Sequence, residues 1–184
     1  MFRLIATLIS RKKEKNINRS KQYRWKKFYK KYLDDFNGSY DAVFAYMNDD
    51  AMYYVADKIN SKNKIAWIHN DYYAMEYDAE MDRQYFPMFK KIVTISNECL
   101  LILNEIFPEY AAKCIMIPNL TSEKLVKKKA TEFYPKEFAA VNSLKLLSIG
   151  RLSEQKGYDF AIEAAKELKN TGIDFRWFIL GEGE

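Results

Sequence analysis

A short loop near the carboxyl end of the sequence combines glycines with two cations. Gly150, Arg151, Lys156 and Gly157 follow the apolar run Leu144–Ile149 and precede a helical pattern. A loop that follows a buried parallel strand lies at the carboxyl edge of the sheet, where open α/β folds bind ligands. Glycine allows close approach to the backbone, and the cations and free N–H groups at a helix start attract anions. These residues predict a diphosphate site; a solvated loop with two incidental charges is the alternative.

The same stretch resembles the G-R-L-x-x-x-K-G element of family-4 glycosyltransferases, and Leu180-Gly181-Glu182-Gly183 resembles the turn that follows later in that family. The resemblance implies that the four residues named above hold the diphosphate of a nucleotide sugar, such as a UDP- or GDP-sugar. It also implies that the turn of Gly181, Glu182 and Gly183 lies near the nucleoside.

A histidine stands at a second position of this kind. His69 directly follows the predicted strand Lys64–Ile68, so it is expected at the carboxyl edge of a sheet. A lone histidine is more often a structural residue with its hydrogen bonds made inside the protein than a catalytic one, and that alternative stays open. The segment resembles the W-I-H-N-D of the same family, which implies that His69 lies beside the transferred sugar and the acceptor. Asp71 is the second catalytic candidate, for orienting an acceptor hydroxyl. Asn70 and Asn119, the latter from a resembling I-P-N segment, are expected in the same cleft.

The resemblance implies a retaining hexosyltransferase of polysaccharide biosynthesis, acting on a glycan, lipid or protein acceptor. The sequence has no Asp-x-Asp, the spacing with which GT-A glycosyltransferases hold a divalent metal against the diphosphate. No metal and no cofactor besides the donor substrate is therefore expected. A glycosidase would need a pair of carboxylates flanking the bond, and the sequence places no such pair at a strand end. A dinucleotide-binding dehydrogenase would need G-x-G-x-x-G after a strand, and the sequence has none.

Short apolar runs alternate with helical patterns along most of the chain. The predicted strands are Asp41–Met47, Lys64–Ile68, Lys91–Ile95, Cys114–Ile117, Leu144–Ile149 and Phe175–Leu180. The main predicted helices between them are Asp49–Ile59, Ala79–Met88, Asn97–Phe107 and Tyr158–Lys169. This alternation is typical of βαβ units and parallel sheets. The fold class is therefore α/β, and the resemblance makes it the GT-B type, with parts of two Rossmann-like domains.

The stretch 121–142 interrupts the alternation with a run of lysines and Pro135. We therefore expect the remnant of an acceptor-side domain in 1–120, a linker in 121–142, and the first βαβ unit of a nucleotide-sugar domain in 143–184. The family has further strands before these segments and a Glu-x7-Glu element after them. The chain is expected to be truncated at both ends, with weak or absent activity by itself.

Positive charge is concentrated at the start of the chain. Residues 1–31 contain 12 Lys or Arg and one acid, a net charge of +11, whereas the other 18 basic and 24 acidic residues give −6. This basic stretch runs into a predicted amphipathic helix that ends at Asn37-Gly38. Its apolar residues recur at helical spacing and form one stripe of Trp25, Phe28, Tyr29, Tyr32, Leu33 and Phe36. The alternative function is therefore a non-enzymatic module that docks on an anionic membrane through residues 11–31 and inserts the stripe. The competing interpretation packs the stripe against the sheet. Nucleic acid is not expected, because no recognition motif accompanies the charge.

Cys99 and Cys114 stand in apolar runs and are expected to be free, buried thiols in a reducing cytosol. One histidine and no cysteine pair at ligand spacing argue against a zinc site. The first ten residues have the outline of a signal peptide, but the apolar run of about seven residues is short and no cleavage site follows. The chain is expected in the cytoplasm, at most peripheral on the inner face of the membrane.

Overall fold

The computed structural model describes residues 2–183, which form two compact units. The first unit runs to Leu120 and the second begins at Thr121. Each contains a sheet of parallel strands connected by helices, so the predicted α/β class is confirmed.

The first unit is built on a four-stranded parallel sheet whose spatial order follows the chain. Its strands are β1 (Val43–Ala45), β2 (Lys64–Ile68), β3 (Lys91–Thr94) and β4 (Cys114–Met116). Strand β2 has the bounds predicted from the sequence, and the other three are shorter than predicted. One row of buried residues, Ala45, Ala66, Ile92 and Cys114, stands in register across the whole sheet. These side chains fix one face of the sheet against the core.

The described part of the first unit contains seven helices besides this sheet. They are α1 (Phe2–Lys13), α2 (Ile17–Arg24), α3 (Lys30–Tyr32), α4 (Asp50–Lys58), α5 (Tyr72–Met75), α6 (Ala79–Tyr85) and α7 (Asn97–Ile106). Short 3-10 turns extend α6 and α7, at Phe86–Met88 and Pro108–Lys113. Asp49, Asp78 and Ser96 accept hydrogen bonds from the first-turn N–H groups of the helices that they precede. Such caps explain where these helices begin, because the first N–H groups of a helix have no partner inside it.

The core of the first unit is aromatic and lies on one face of the sheet. Its largest fully buried side chains include Trp25, Tyr53, Phe86, Phe89 and Phe107. The opposite face is covered only in part. There Phe44 is 55% exposed and Trp67 is half-buried.

The predicted aromatic stripe belongs to this core. The Trp25 side chain is completely buried, and its indole Nε1 donates to Asp57 Oδ2 at 2.9 Å. Tyr29 is buried as well. The hypothesis that the stripe inserts into a membrane is therefore wrong, because its central residues are already packed inside the protein.

The helix that carries the stripe also ends earlier than predicted. A π-helical turn, Trp25–Tyr29, joins α2 to α3, and the helix stops at Tyr32 because Leu33 is extended. Phe36 instead forms an isolated parallel bridge with Ile59. A tertiary backbone contact thus replaces the last predicted helical turn.

A buried polar network lies beneath α2. The carboxylate of Asp82 is fully buried and accepts hydrogen bonds from Tyr53, from Tyr72 at 2.6 Å and from the amide of Gln22 at 3.1 Å. Burial raises the pKa of Asp82 from 3.8 to about 6, and the three donors oppose that rise. The oxygen of the Gln22 amide accepts from the N–H of Asp78 at 2.7 Å. Gln22 therefore connects α2 to the start of α6.

Both cysteines are free, as predicted. Cys114 is buried, and burial raises the pKa of its thiol to about 11. Cys99 is only half-buried, so the prediction of two buried thiols holds for one of them.

The opening residues, for which the sequence predicted no element, form α1. Only Ala6 and Ser10 are buried among the residues of this helix. Within residues 2–183, no helix combines the length and the apolar character needed to cross a membrane.

The second unit contains one βαβ element preceded by two helices. The helices are α8 (Glu123–Ala130) and α9 (Lys136–Ala139), and the element consists of β5 (Leu144–Ile149), α10 (Tyr158–Asn170) and β6 (Phe175–Leu180). Strands β5 and β6 are parallel and have the predicted bounds. The stretch 121–142 is thus helical in part, and its role as a linker stays a prediction.

Candidate functional site

The loops that follow β5 and β6 lie side by side. Pairing continues beyond the strands, because the N–H of Gly150 donates to Leu180 O at 2.9 Å and that of Leu152 donates to Glu182 O at 2.8 Å. Leu152 and Gly183 form a parallel bridge. The structure therefore brings the loop that begins at Gly150 and the turn of residues 181–183 together, at the carboxyl ends of two parallel strands.

Gly181 is the tightest point of this contact. A Cβ added to Gly181 would overlap the carbonyl oxygen of Gly150, so no larger residue fits there without a shift of the backbone. A Cβ on Gly183 would meet only Leu152, at an ordinary distance of 3.5 Å. Gly150 has room as well: the nearest atoms to an added Cβ are Tyr158 Oη at 3.6 Å and Lys156 Cδ at 3.9 Å. The fold itself therefore demands glycine at 181 but not at 150.

The two predicted cations flank this loop. Arg151 and Lys156 are exposed, and the methylenes of Lys156 lie above Gly150. Arg151 Nη2 stands 3.5 Å from Gln155 Oε1, at the limit of a hydrogen bond. In the described chain neither cation forms an ion pair. Their charge is therefore available to an anion at the loop.

The backbone donors of the loop are only partly available. A 3-10 turn at Glu154–Lys156 engages the N–H groups of Lys156 and Gly157, which donate to Ser153 O and Glu154 O. Gly157 has φ +63°, a left-handed conformation that favours glycine, so the turn itself explains this residue. Helix α10 then begins without a side-chain cap. The N–H groups of its first turn can therefore serve an anion, although Asp159 in that turn opposes one.

A second candidate site lies in the first unit, at the carboxyl ends of β1 and β2. Tyr46, Trp67, His69 and the segment 117–120 line a cavity of about 510 Å³. The ring of Tyr46 lies 4.6 Å from the His69 ring and 5.2 Å from the Trp67 ring, measured between centroids. The Trp67 and His69 rings are nearly parallel at 6.2 Å. Together the three rings form an aromatic wall on one side of the cavity.

Two polar atoms of this wall lack partners. Trp67 Nε1 and His69 Nε2 are buried, and neither has a hydrogen-bond partner in the described chain. A buried polar atom left unpaired costs about 1–3 kcal/mol, and such atoms are rare enough to call for an explanation. The alternative that His69 is a structural residue with all its hydrogen bonds made is therefore not what the structure shows, because Nε2 has no partner in the described chain.

Of the other residues predicted for this region, only one lines the cavity. Asn119 lines the cavity with His69, whereas Asn70 is exposed in the connection that follows. Asp71 caps α5: its Oδ1 accepts from the N–H groups of Tyr73 at 2.8 Å and Ala74 at 3.2 Å. The capping role explains Asp71 without catalysis, because it satisfies donors that the helix leaves free. Its catalytic role stays a prediction.

Comparison with known proteins gives short matches. No protein-family model matches the chain, and no solved structure does. A protein of Escherichia coli (strain K12), provisionally named colanic acid biosynthesis glycosyltransferase WcaL, is 44% identical over 54 residues, or 29% of this chain and 13% of the relative. Its namesake in Salmonella typhimurium is 50% identical over 40 residues, or 22% of this chain and 10% of the relative. Over these stretches the chain is similar to proteins named as glycosyltransferases.

Sequence reasoning missed Tyr46, Trp67 and Tyr158. The hydroxyl of Tyr158 donates to Gly150 O at 3.4 Å and connects α10 to the glycine loop. Tyr46 and Trp67 each directly follow one of the in-register residues Ala45 and Ala66. Each aromatic residue was visible in its own run, but the register that makes the two rings neighbours is a tertiary property.

Proposed function

We propose that this chain belongs to a glycosyltransferase, which transfers a sugar from a UDP- or GDP-sugar to a glycan, lipid or protein acceptor. The contact between the Gly150 loop and the 181–183 turn, flanked by two unpaired cations, carries the proposal. The similarity to proteins named as glycosyltransferases supports the same reaction. Retention of anomeric configuration and independence of metal are parts of the proposal that come from the family resemblance.

The second unit would hold the donor diphosphate. Arg151 and Lys156 would stabilise the negative charge that builds on the departing diphosphate, and the start of α10 would add its partial positive charge. One such group is typically worth about 10² to 10³ in rate. A phosphate would approach the Gly150 backbone beside the Lys156 side chain, where an added Cβ would make only ordinary contacts, and the nucleoside would lie beside the 181–183 turn.

The cavity of the first unit would hold a sugar ring of the acceptor. Its volume of about 510 Å³ lies in the range of small-ligand sites. The aromatic wall offers an apolar surface for the C–H face of a pyranose, and Asn119 offers polar atoms for its hydroxyls. His69 would meet the reacting hydroxyl after a small rotation of its ring frees Nε2, which is buried in the present conformation.

Binding of nucleoside diphosphates tests the proposal on the chain as it is. Titration with UDP and with GDP, followed by NMR or calorimetry, should show saturable binding that Arg151→Ala weakens about tenfold. Arg176→Ala is the matched control: it removes an exposed arginine of β6 near the other end of the strand pair, opposite Lys145. Equal affinity of wild type and Arg151→Ala, or no binding of either nucleotide, would overturn the assignment.

A further inference from the structure

Helix α1 exposes an apolar strip along one side. Leu4, Ile5 and Leu8 are 64%, 48% and 61% exposed, and Phe2 and Ile9 are each 40% exposed. A helix turns about 100° per residue, so the side chains of residues 4, 5 and 8 are neighbours on its surface. Single exposed apolar residues are ordinary, but a contiguous strip of large ones marks a docking surface.

The opposite side of α1 is attached to the first unit. Ala6 and Ser10 are fully buried, and the guanidinium of Arg24 donates to Thr7 Oγ1 at 3.1 Å. The ring of Phe2 packs on Tyr32 with the centroids 5.3 Å apart. These contacts fix the rotation of the helix, so the apolar strip faces outward because of tertiary packing.

Three cations lie at one end of the exposed strip. The last turn of α1 carries Arg11, Lys12 and Lys13, all exposed, and the helix contains no acidic residue. At about 100° per residue, Arg11 and Lys12 fall on either side of the line that joins Leu4 and Leu8. An apolar strip bordered by cations is the pattern of helices that lie in a lipid interface. The same charge opposes a second copy of this surface, since two such faces repel each other.

We propose that α1 binds an anionic phospholipid bilayer, lying in the plane of the interface. Leu4, Ile5 and Leu8 would enter the boundary between head groups and acyl chains, while Arg11 and Lys12 would contact the phosphates. This site is independent of the proposed sugar transfer. It shares Arg11 and Lys12 with the membrane contact predicted from the sequence but uses a different apolar surface, because the predicted aromatic stripe is buried at its centre.

Co-sedimentation with vesicles tests the proposal. The full chain should bind vesicles that contain phosphatidylglycerol, less so at high salt, and should bind pure phosphatidylcholine weakly. The triple variant Leu4→Ser/Ile5→Ser/Leu8→Ser should lower the partition coefficient at least about tenfold. Arg11→Gln/Lys12→Gln should lower it about fivefold for each charge removed, at low salt only.

Controls separate lipid binding from other effects. Leu101→Ser removes a side chain that is 69% exposed on α7 and should bind vesicles as wild type does. Circular dichroism should show unchanged folding of every variant, because the replaced side chains are exposed. Absence of wild-type binding to anionic vesicles, or equal binding by the triple serine variant, would overturn the proposal. The proposal would also be overturned if the wild-type chain did not bind vesicles but formed a concentration-dependent dimer that the serine substitutions abolish.

Discussion

Gly181 packs so closely on Gly150 that a methyl group on Gly181 would overlap the carbonyl oxygen of Gly150. Gly181→Ala should therefore push the two loops apart and lower the free energy of unfolding of the second unit by about 1–3 kcal/mol. Gly183→Ala is the matched control, since its methyl group would make an ordinary contact with Leu152. Thermal and urea denaturation of both variants measure the difference. Equal stability of the two would show that the loops do not approach as closely as described.

Gly150 should behave differently from Gly181. An added methyl group finds Tyr158 Oη at 3.6 Å and Lys156 Cδ at 3.9 Å, which are ordinary contacts. Gly150→Ala should therefore change the free energy of unfolding by less than about 0.5 kcal/mol, yet weaken UDP or GDP binding about tenfold by filling the space of a phosphate. Calorimetric titration beside thermal melting checks both parts. An unfolded Gly150→Ala, or one with wild-type affinity, would contradict this role.

Arg151 and Lys156 should act on the same ligand group. If both contact one diphosphate, a double-mutant cycle of Arg151→Ala and Lys156→Ala should give a coupling energy of about 0.5–3 kcal/mol in nucleotide affinity. The pair Arg151→Ala and Arg176→Ala should be additive within about 0.5 kcal/mol, because Arg176 is near the other end of the strand pair. Additivity of the first pair would mean that the two cations serve separate groups.

The unpaired Nε2 of His69 suggests a residue kept for function rather than for stability. His69→Phe preserves an aromatic ring against Tyr46 and Trp67 and removes the buried nitrogen. The free energy of unfolding should stay constant or rise by about 1 kcal/mol. The His69→Phe variant should bind monosaccharides more weakly than wild type, as measured by the tryptophan fluorescence to which Trp67 contributes. A loss of more than about 2 kcal/mol in stability would instead mark His69 as structural.

The buried carboxyl of Asp82 should give the first unit a distinctive pH dependence. Its pKa is raised from 3.8 to about 6, so the folded state holds the proton more tightly than the unfolded state does. The stabilising effect is complete below pH 4 and is lost as the pH rises through 6. Relative to Asp82→Asn, wild type should lose on the order of 3 kcal/mol of unfolding free energy between about pH 3 and pH 7.

Urea denaturation at a series of pH values measures this difference. Titrations of other groups are common to both proteins and cancel. Asp41→Asn, which alters an exposed carboxylate, should follow the wild-type curve. Parallel curves for wild type and Asp82→Asn would contradict the raised pKa.

Local patterns predicted the elements whose boundaries are local. Strands β2, β5 and β6 are short apolar runs between polar or glycine residues, and their bounds agree with the sequence. The helices predicted from Asp49 and Asn97 begin within one residue of their predicted starts for the same reason, since a cap bonds to residues two or three positions away. Helix α1 was not predicted, because a short apolar run beside cations is the outline of a signal peptide as well as of an amphipathic helix.

The sequence by itself determined the alternation of strands and helices, the concentration of positive charge at one end, and the loop that joins Gly150 to two cations. Only the tertiary structure decided that Trp25 is core, that Tyr46 and Trp67 form one wall, and that Gly181 rests on Gly150. The physical reason is separation along the chain. Propensity and periodicity act over a few neighbouring residues, whereas burial and register depend on contacts such as Gln22 with Asp82, which are 60 positions apart.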